Sequence, residues 1–162
     1  MGNLKVVIAD DEERICQLIQ ALINWDSLGM EIAGMAHNGI EAFDVVQKVC
    51  PDILITDIRM PGLSGLELIE KVKAACPEME IIIISGYAHF EYAQQAIKFG
   101  VGHYLLKPIN RAELTETLEK LKQRIRERRE SERDKEVLIQ KAQKNESYMR
   151  SEFVLALFDG NV

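Results

Sequence analysis

Between residues 109 and 159 the chain has neither proline nor glycine. That absence removes the usual chain breakers and favours continuous helix over the stretch. Long apolar runs are missing too. None approaches the roughly 18 residues that cross a bilayer, so no membrane span is expected. Cysteines are few, at positions 16, 50 and 76. An odd, widely spaced set supplies neither a disulfide framework nor zinc or redox spacing, and reduced thiols in a cytoplasmic protein are expected. A basic excess is also lacking, the net charge being −6. Residues 1–106 carry 15 acids against 7 Lys and Arg, and residues 107–162 carry 11 against 13. Neither part makes a phosphate-backbone footprint, so nucleic-acid contact by these residues is not expected. The first apolar run begins at Leu4, and no secretory leader is expected ahead of it. Met1-Gly2 is no myristoylation start, because Val6 stands where that motif needs Ser or Thr.

Four short apolar runs each stop at chemically capable residues. Leu4-Lys5-Val6-Val7-Ile8-Ala9 ends at Asp10-Asp11, and Ile53-Leu54-Ile55-Thr56 ends at Asp57. Ile81-Ile82-Ile83-Ile84 ends at Ser85, and the run 101–106 ends at Lys107-Pro108. Apolar positions at helical spacing separate them: Ile15, Leu18, Ile19, Leu22 and Ile23, with Asp11 as N-cap; then Ile40, Phe43, Val46 and Val49; Leu66, Leu68, Ile69 and Val72; and Phe90, Ala93, Ala96 and Ile97. Residues 25–29 read as a loop, and 30–36 as a short second strand before Asn38-Gly39. The third and fourth strands, 53–56 and 80–84, are near-continuous apolar runs, which indicates burial on both faces.

Strand then helix, five times over, predicts a doubly wound α/β fold with a five-stranded parallel sheet. Leu114, Leu118, Leu121 and Ile125 predict a fifth helix packed on the sheet. Residues 124–136 hold only Ile125 and Ser131 among charged side chains, and read as an extension of that helix or a disordered linker; the Glu, Arg and Lys content favours helix. Val137, Leu138 and Ile139 restore some apolar surface without sustained heptads. The apolar stub 153–158 reads as the start of a following element. The expected division is a domain over 1–125 and a charged helical connection over 126–162.

In such a sheet Asp10, Asp11, Asp57, Ser85 and Lys107 converge on the carboxyl edge, where open α/β folds bind ligands. A single strand-end Asp is as readily a cap or turn residue. Three together repel, and a divalent cation with hard oxygen ligands, Mg2+ above all, relieves that repulsion. Lys107 adds a fixed positive charge, and Ser85 a hydroxyl. The chemistry that follows is phosphoryl transfer to a carboxylate, with Asp57 as nucleophile and the Asp10-Asp11 pair holding metal. His37, His89 and His103 have no metal-ligand spacing.

Asp10-Asp11, the run Asp57-Ile58-Arg59-Met60-Pro61-Gly62-Leu63-Ser64-Gly65, Ser85-Gly86, Tyr104 and Lys107-Pro108 together resemble a bacterial response-regulator receiver domain over residues 4 to 125. That resemblance implies the CheY-like, flavodoxin-like sheet. It implies phosphorylation of Asp57 by the phosphohistidine of a sensor histidine kinase. Mg2+, or Mn2+ in its place, is then held by Asp10, Asp11, Asp57 and the backbone carbonyl of Arg59. The phosphoryl group is met by Lys107, Ser85 and Gly86, the Lys107-Pro108 peptide is cis, and Ser85 and Tyr104 form the switch. Arg59 and Tyr87 flank the site where the family varies its dephosphorylation rate. The implied output surface is the fourth helix, fifth strand and fifth helix. A homodimer is expected through that surface or through the C-terminal helix. The segment Ser85-Gly86-Tyr87-Ala88-His89-Phe90-Glu91-Tyr92-Ala93, with Trp25 and the helical tail, is similar to YesN-type regulators, which contact DNA through an AraC-type C-terminal domain. The alternatives are a phosphoaspartyl hydrolase of the haloacid dehalogenase kind and a non-phosphorylated dimerising scaffold. The hydrolase family wants an Asp two residues after the nucleophile, where this chain has Arg59.

Overall fold

The computed structural model describes residues 2–86 and 90–144, apart from the side chains of Phe90, Tyr92, Ala93, Gln143 and Lys144. Expectations placed on Tyr87, His89, those side chains and the stub 153–158 lie outside the described residues. Five strands alternate with helices: β1 Leu4–Ala9, α1 Glu13–Leu22, α2 Trp25–Leu28, β2 Met30–Ala36, α3 Gly39–Val49, β3 Ile53–Thr56, α4 Gly65–Ala75, β4 Glu80–Ser85, α5 Phe90–Lys98, β5 His103–Leu106 and α6 Arg111–Lys144. The strands pair in parallel in the order β2-β1-β3-β4-β5. This is the doubly wound order whose switch point lies between β1 and β3.

Parallel pairing follows from composition. Ile53, Leu54, Ile55, Ile82 and Ile83 are buried almost completely, as strands covered on both faces require. Val7, Ala9, Leu54, Ile81 and Ile83 share one core with Ala42 and Val46 of α3, Leu68, Ile69 and Val72 of α4, and Ala96 of α5. The alternate residues Val6, Ile8, Ile53, Ile55, Ile82 and Ile84 point to the opposite face. They are buried as well, as are Cys16 and Ile19 of α1 and Leu114 and Leu118 at the start of α6. Burying each such Leu contributes about 1.5–3 kcal/mol of transfer free energy.

Several local expectations need correction. Residues 25–28 are a one-turn helix rather than loop: the Asn24 side chain accepts from the Ser27 N–H, and Gly29 closes the turn in the left-handed region at φ 69°. The added helix shifts the count, so the expected fourth and fifth helices are α5 and α6. Asp11 does not cap α1. Glu12 holds the cap position without a side-chain bond, and the Asp10 carboxylate takes the Glu12 N–H instead. Leu18, Ile40 and Ile97 fit apolar stripes yet are exposed, while Cys16, Ala42 and Ala96 on the same helices are buried. β5 begins at His103 rather than Val101, because the N–H groups of Gly100 and Val101 turn back to Ile97 and Ala96. β4 extends one residue further, to Ser85.

The chain forms two units, Met1–Lys120 and Leu121–Val162. The first holds the sheet and α1 to α5. In the second, residues 121–144 are helical and strongly charged, with Gln123 donating to Glu127 one turn on. No helix among the described residues is long and apolar enough to cross a membrane.

Candidate functional site

Register alone brings the polar residues together. Ala9 pairs with Thr56, so Asp10 and Asp57 leave the sheet side by side. Ser85 pairs with Leu106, which sets Lys107 next to the end of β4. The Lys107 N–H donates to the Ser85 carbonyl at 2.8 Å, and the Lys107-Pro108 peptide is cis. Asp57 is fixed from both ends of its residue: its N–H donates to the Ala9 carbonyl at 3.0 Å, and its Oδ1 accepts from the Ile58 N–H at 2.7 Å.

Lys107 Nζ lies 3.0 Å from Asp10 Oδ2 and 3.0 Å from Asp57 Oδ2, bridging two carboxylates that are nearly buried. One ammonium between two buried carboxylates leaves a net negative site. Burial pushes Asp10 above the usual carboxylate value, although the Glu12 N–H and Lys107 both favour its charged form. Burial alone would lower Lys107; its bonds to Asp10 and Asp57 outweigh that and hold it above its ordinary value. Removing Lys107 would strand two buried carboxylates, and leaving buried charge unpaired in this way costs about 3–5 kcal/mol.

Asp11, Glu12, Asp57, Arg59, Gly86 and Lys107 line a cleft of about 340 Å3. Oxygens of Asp10, Asp11 and Glu12 lie within 4.8 Å of one another. Hard oxygen donors clustered so closely, beside a carboxylate already paired with the one lysine, suit Mg2+ rather than a soft metal. Glu12 was missed as a member of this group, although its place directly after the aspartate pair was the signal. Ser85 is buried at the end of β4, Gly86 is exposed in the cleft wall, and Arg59 is exposed beside Asp57. Tyr104 is half-buried on β5, packed against the core shared by α3, α4 and α5. The structure thus joins Asp10, Asp57 and Lys107 directly, and places Asp11, Arg59 and Gly86 around them.

The Thr56–Gly65 segment is braced from two sides. The Gly65 N–H donates to the Ile58 carbonyl, and a Cβ on Gly39 would overlap the Leu63 carbonyl. Ser64 and Glu67 form a reciprocal capping box at the start of α4.

Residues 6–119 match the model of the response regulator receiver domain. The chain belongs to the response regulator receiver family. Over 117 residues it is 46% identical to the transcriptional regulatory protein YesN of Bacillus subtilis, a match covering 72% of this chain and 32% of YesN. It is 38% identical to the transcriptional regulatory protein HptR of Staphylococcus aureus, over 72% of this chain and 46% of that protein. The chain therefore spans a third to a half of the length of these curated relatives. Among solved structures, the receiver domain of AraT, a response regulator from Geobacillus stearothermophilus, superposes with a TM-score of 0.74 at 36% identity, covering 78% of this chain and 98% of that one. The expected CheY-like fold and the two-component, transcription-linked reading agree with these relatives. A receiver is a signalling domain, in contrast to a hydrolase built for turnover.

Proposed function

We propose that this receiver accepts a phosphoryl group on Asp57 from the phosphohistidine of a sensor histidine kinase. The observation that carries the reading is the Lys107 bridge between Asp10 and Asp57 at 3.0 Å each, beside exposed Asp11 and Glu12. In the transfer, an Asp57 carboxylate oxygen forms the new P–O bond, the P–N bond to imidazole breaks, and the imidazole leaves with the electron pair. Bound Mg2+, or Mn2+, would neutralise charge on the transferring group, held by Asp10, Asp11, Asp57 and the backbone carbonyl of Arg59. Lys107 offers an ammonium that turns from a carboxylate to a phosphoryl oxygen. The Ser85 hydroxyl and the Gly86 backbone stand at the end of β4 to receive the remaining oxygens. Positioning does most of the work, because a carboxylate oxygen is itself the nucleophile.

The product of this chemistry is a changed surface. Ser85 and Tyr104 lie on neighbouring strands, and movement of one toward the phosphoryl group would open space for the other. Ile97 of α5 and Leu106 of β5 are exposed, apolar surface suited to an output partner or a second copy of the receiver. Residues 1–125 serve as the phosphoacceptor, and the charged helix beyond serves as the connection to a DNA-binding output domain in a cytoplasmic transcription factor. The C-terminal helix is the alternative dimer contact. Arg59, exposed two residues after Asp57, flanks the hydrolytic approach to the phosphoryl group.

Incubating the full chain with Mg2+ and acetyl phosphate is expected to add one phosphoryl mass, lost in Asp57→Asn. No adduct on the wild type overturns the reading. Sustained turnover of varied phosphomonoesters would favour a hydrolase in its place.

A further inference from the structure

His37 directly follows β2 and is half-buried. Its Nδ1 lies 3.3 Å from the backbone carbonyl oxygen of Asp10. The Cys16 thiol of α1 donates to the same oxygen at 3.7 Å, and the sulfur lies 3.9 Å from the imidazole nitrogen. A carbonyl oxygen only accepts, so the contact is a hydrogen bond when Nδ1 carries the ring proton. Burial pushes the Cys16 thiol up to about 11, which keeps it a protonated donor at neutral pH.

The end of β2 therefore grips Asp10 on both of its peptide units. The Asp10 N–H donates to the Ala36 carbonyl at 3.0 Å, and the Asp10 carbonyl receives His37 one residue later. Two such bonds fix the backbone torsions of Asp10 and the plane of the Asp10-Asp11 peptide. From that peptide the Asp11 side chain departs, the exposed carboxylate of the acid cluster. The Asp10 side chain is itself held by the Glu12 N–H and Lys107, so the two bonds from the end of β2 act on the backbone that carries Asp11.

We propose that His37 is a positioning residue for the divalent cation: its Nδ1–H bond to the Asp10 carbonyl sets the orientation in which Asp10 and Asp11 present their oxygens. It is not a ligand, because the nitrogen that faces the site is spent on the carbonyl. Outer partners of this kind act by orienting the groups that bind the metal. The inference rests on the cation site proposed above and adds a residue to it.

The test measures Mg2+ binding to the full chain by titration calorimetry, with no phosphodonor present. His37→Ala removes the donor. His37→Asn keeps a side-chain N–H at nearly the position of Nδ1. Losing one neutral hydrogen bond that organises the site is expected to weaken Mg2+ binding about 2- to 10-fold in His37→Ala. His37→Asn is expected to recover most of that loss. Melting temperatures in chelator, where no cation is bound, are expected to be alike for the two variants, which separates positioning from a general loss of structure. Wild-type affinity in His37→Ala overturns the proposal. So does a His37→Asn variant as weak as His37→Ala, or an affinity loss that tracks melting temperature. If wild type and Asp11→Asn both fail to bind Mg2+, the cation site itself fails, a result distinct from failure of the His37 role.

Discussion

Gly65→Ala sets two effects of opposite sign against each other at the floor of the 57–65 loop. Gly65 opens α4, and its φ lies outside the left-handed region that only glycine favours. On propensity alone, alanine there would help, by about 0.5–1 kcal/mol from reduced freedom of the unfolded chain and better helix formation. The surroundings reverse that. A Cβ on Gly65 would overlap the Asp57 carbonyl oxygen and stand 2.7 Å from Ile58 Cα and 2.9 Å from the Asp57 carbonyl carbon. All three are backbone atoms, so no flexible side chain can yield, and the Gly65 N–H bond to the Ile58 carbonyl ties the two segments together. Forcing such overlap into a packed site costs about 1–3 kcal/mol or more, which exceeds the gain. A net loss of about 0.5–2 kcal/mol corresponds to a drop in melting temperature of about 2–10 °C for a domain of this size. Urea unfolding followed by fluorescence of Trp25, the sole tryptophan and a largely buried one, measures it. Gly102→Ala is the control, because a Cβ there meets nothing within 4 Å, and it is expected to stay within about 0.5 kcal/mol of wild type. A Gly65→Ala protein as stable as wild type would refute the packing argument.

Two further perturbations follow from the same geometry. Burial holds Asp10 above its ordinary value of 3.8, so the folded protein binds that proton more tightly than the unfolded chain does. Stability from this group is present below pH 3.8 and lost as pH rises through the raised value. Asp10→Asn is therefore expected to raise the urea midpoint at pH 7 in chelator, with a gain that shrinks as pH falls toward 4; a gain that grows on acidification contradicts the burial argument. Iodoacetamide at pH 8 is expected to label exposed Cys50 first and Cys16 last, since the Cys16 thiol is buried and pushed up to about 11. Mass mapping of partly labelled protein checks the order, and early labelling of Cys16 refutes it.

The strands were legible because burial on both faces writes itself as unbroken apolar runs, as in Ile81-Ile82-Ile83-Ile84. Strand-end residues were legible for the same reason, since parallel register carries every strand end to one edge. Helix faces were less so. Ile40 and Ile97 match a 3.6-residue period but lie just off the buried stripe, where periodicity cannot tell a core position from its neighbour. The turn at 25–28 was hidden because four residues make too short a period to see, although Asn24 and Gly29 are its cap and stop. His37 was invisible as a site residue: its role arises from β2 ending beside β1, a contact 27 positions apart along the chain.

The most direct measurement of the central claim locates the phosphoryl group. After reaction with acetyl phosphate and Mg2+, borohydride reduction converts an acyl phosphate to a stable alcohol that peptide mass mapping can place. The account predicts a single modified residue, Asp57, with none in Asp57→Asn. Reduction mapped to Asp10, Asp11 or Glu12, or an unmodified Asp57 in protein that has gained the phosphoryl mass, would contradict it.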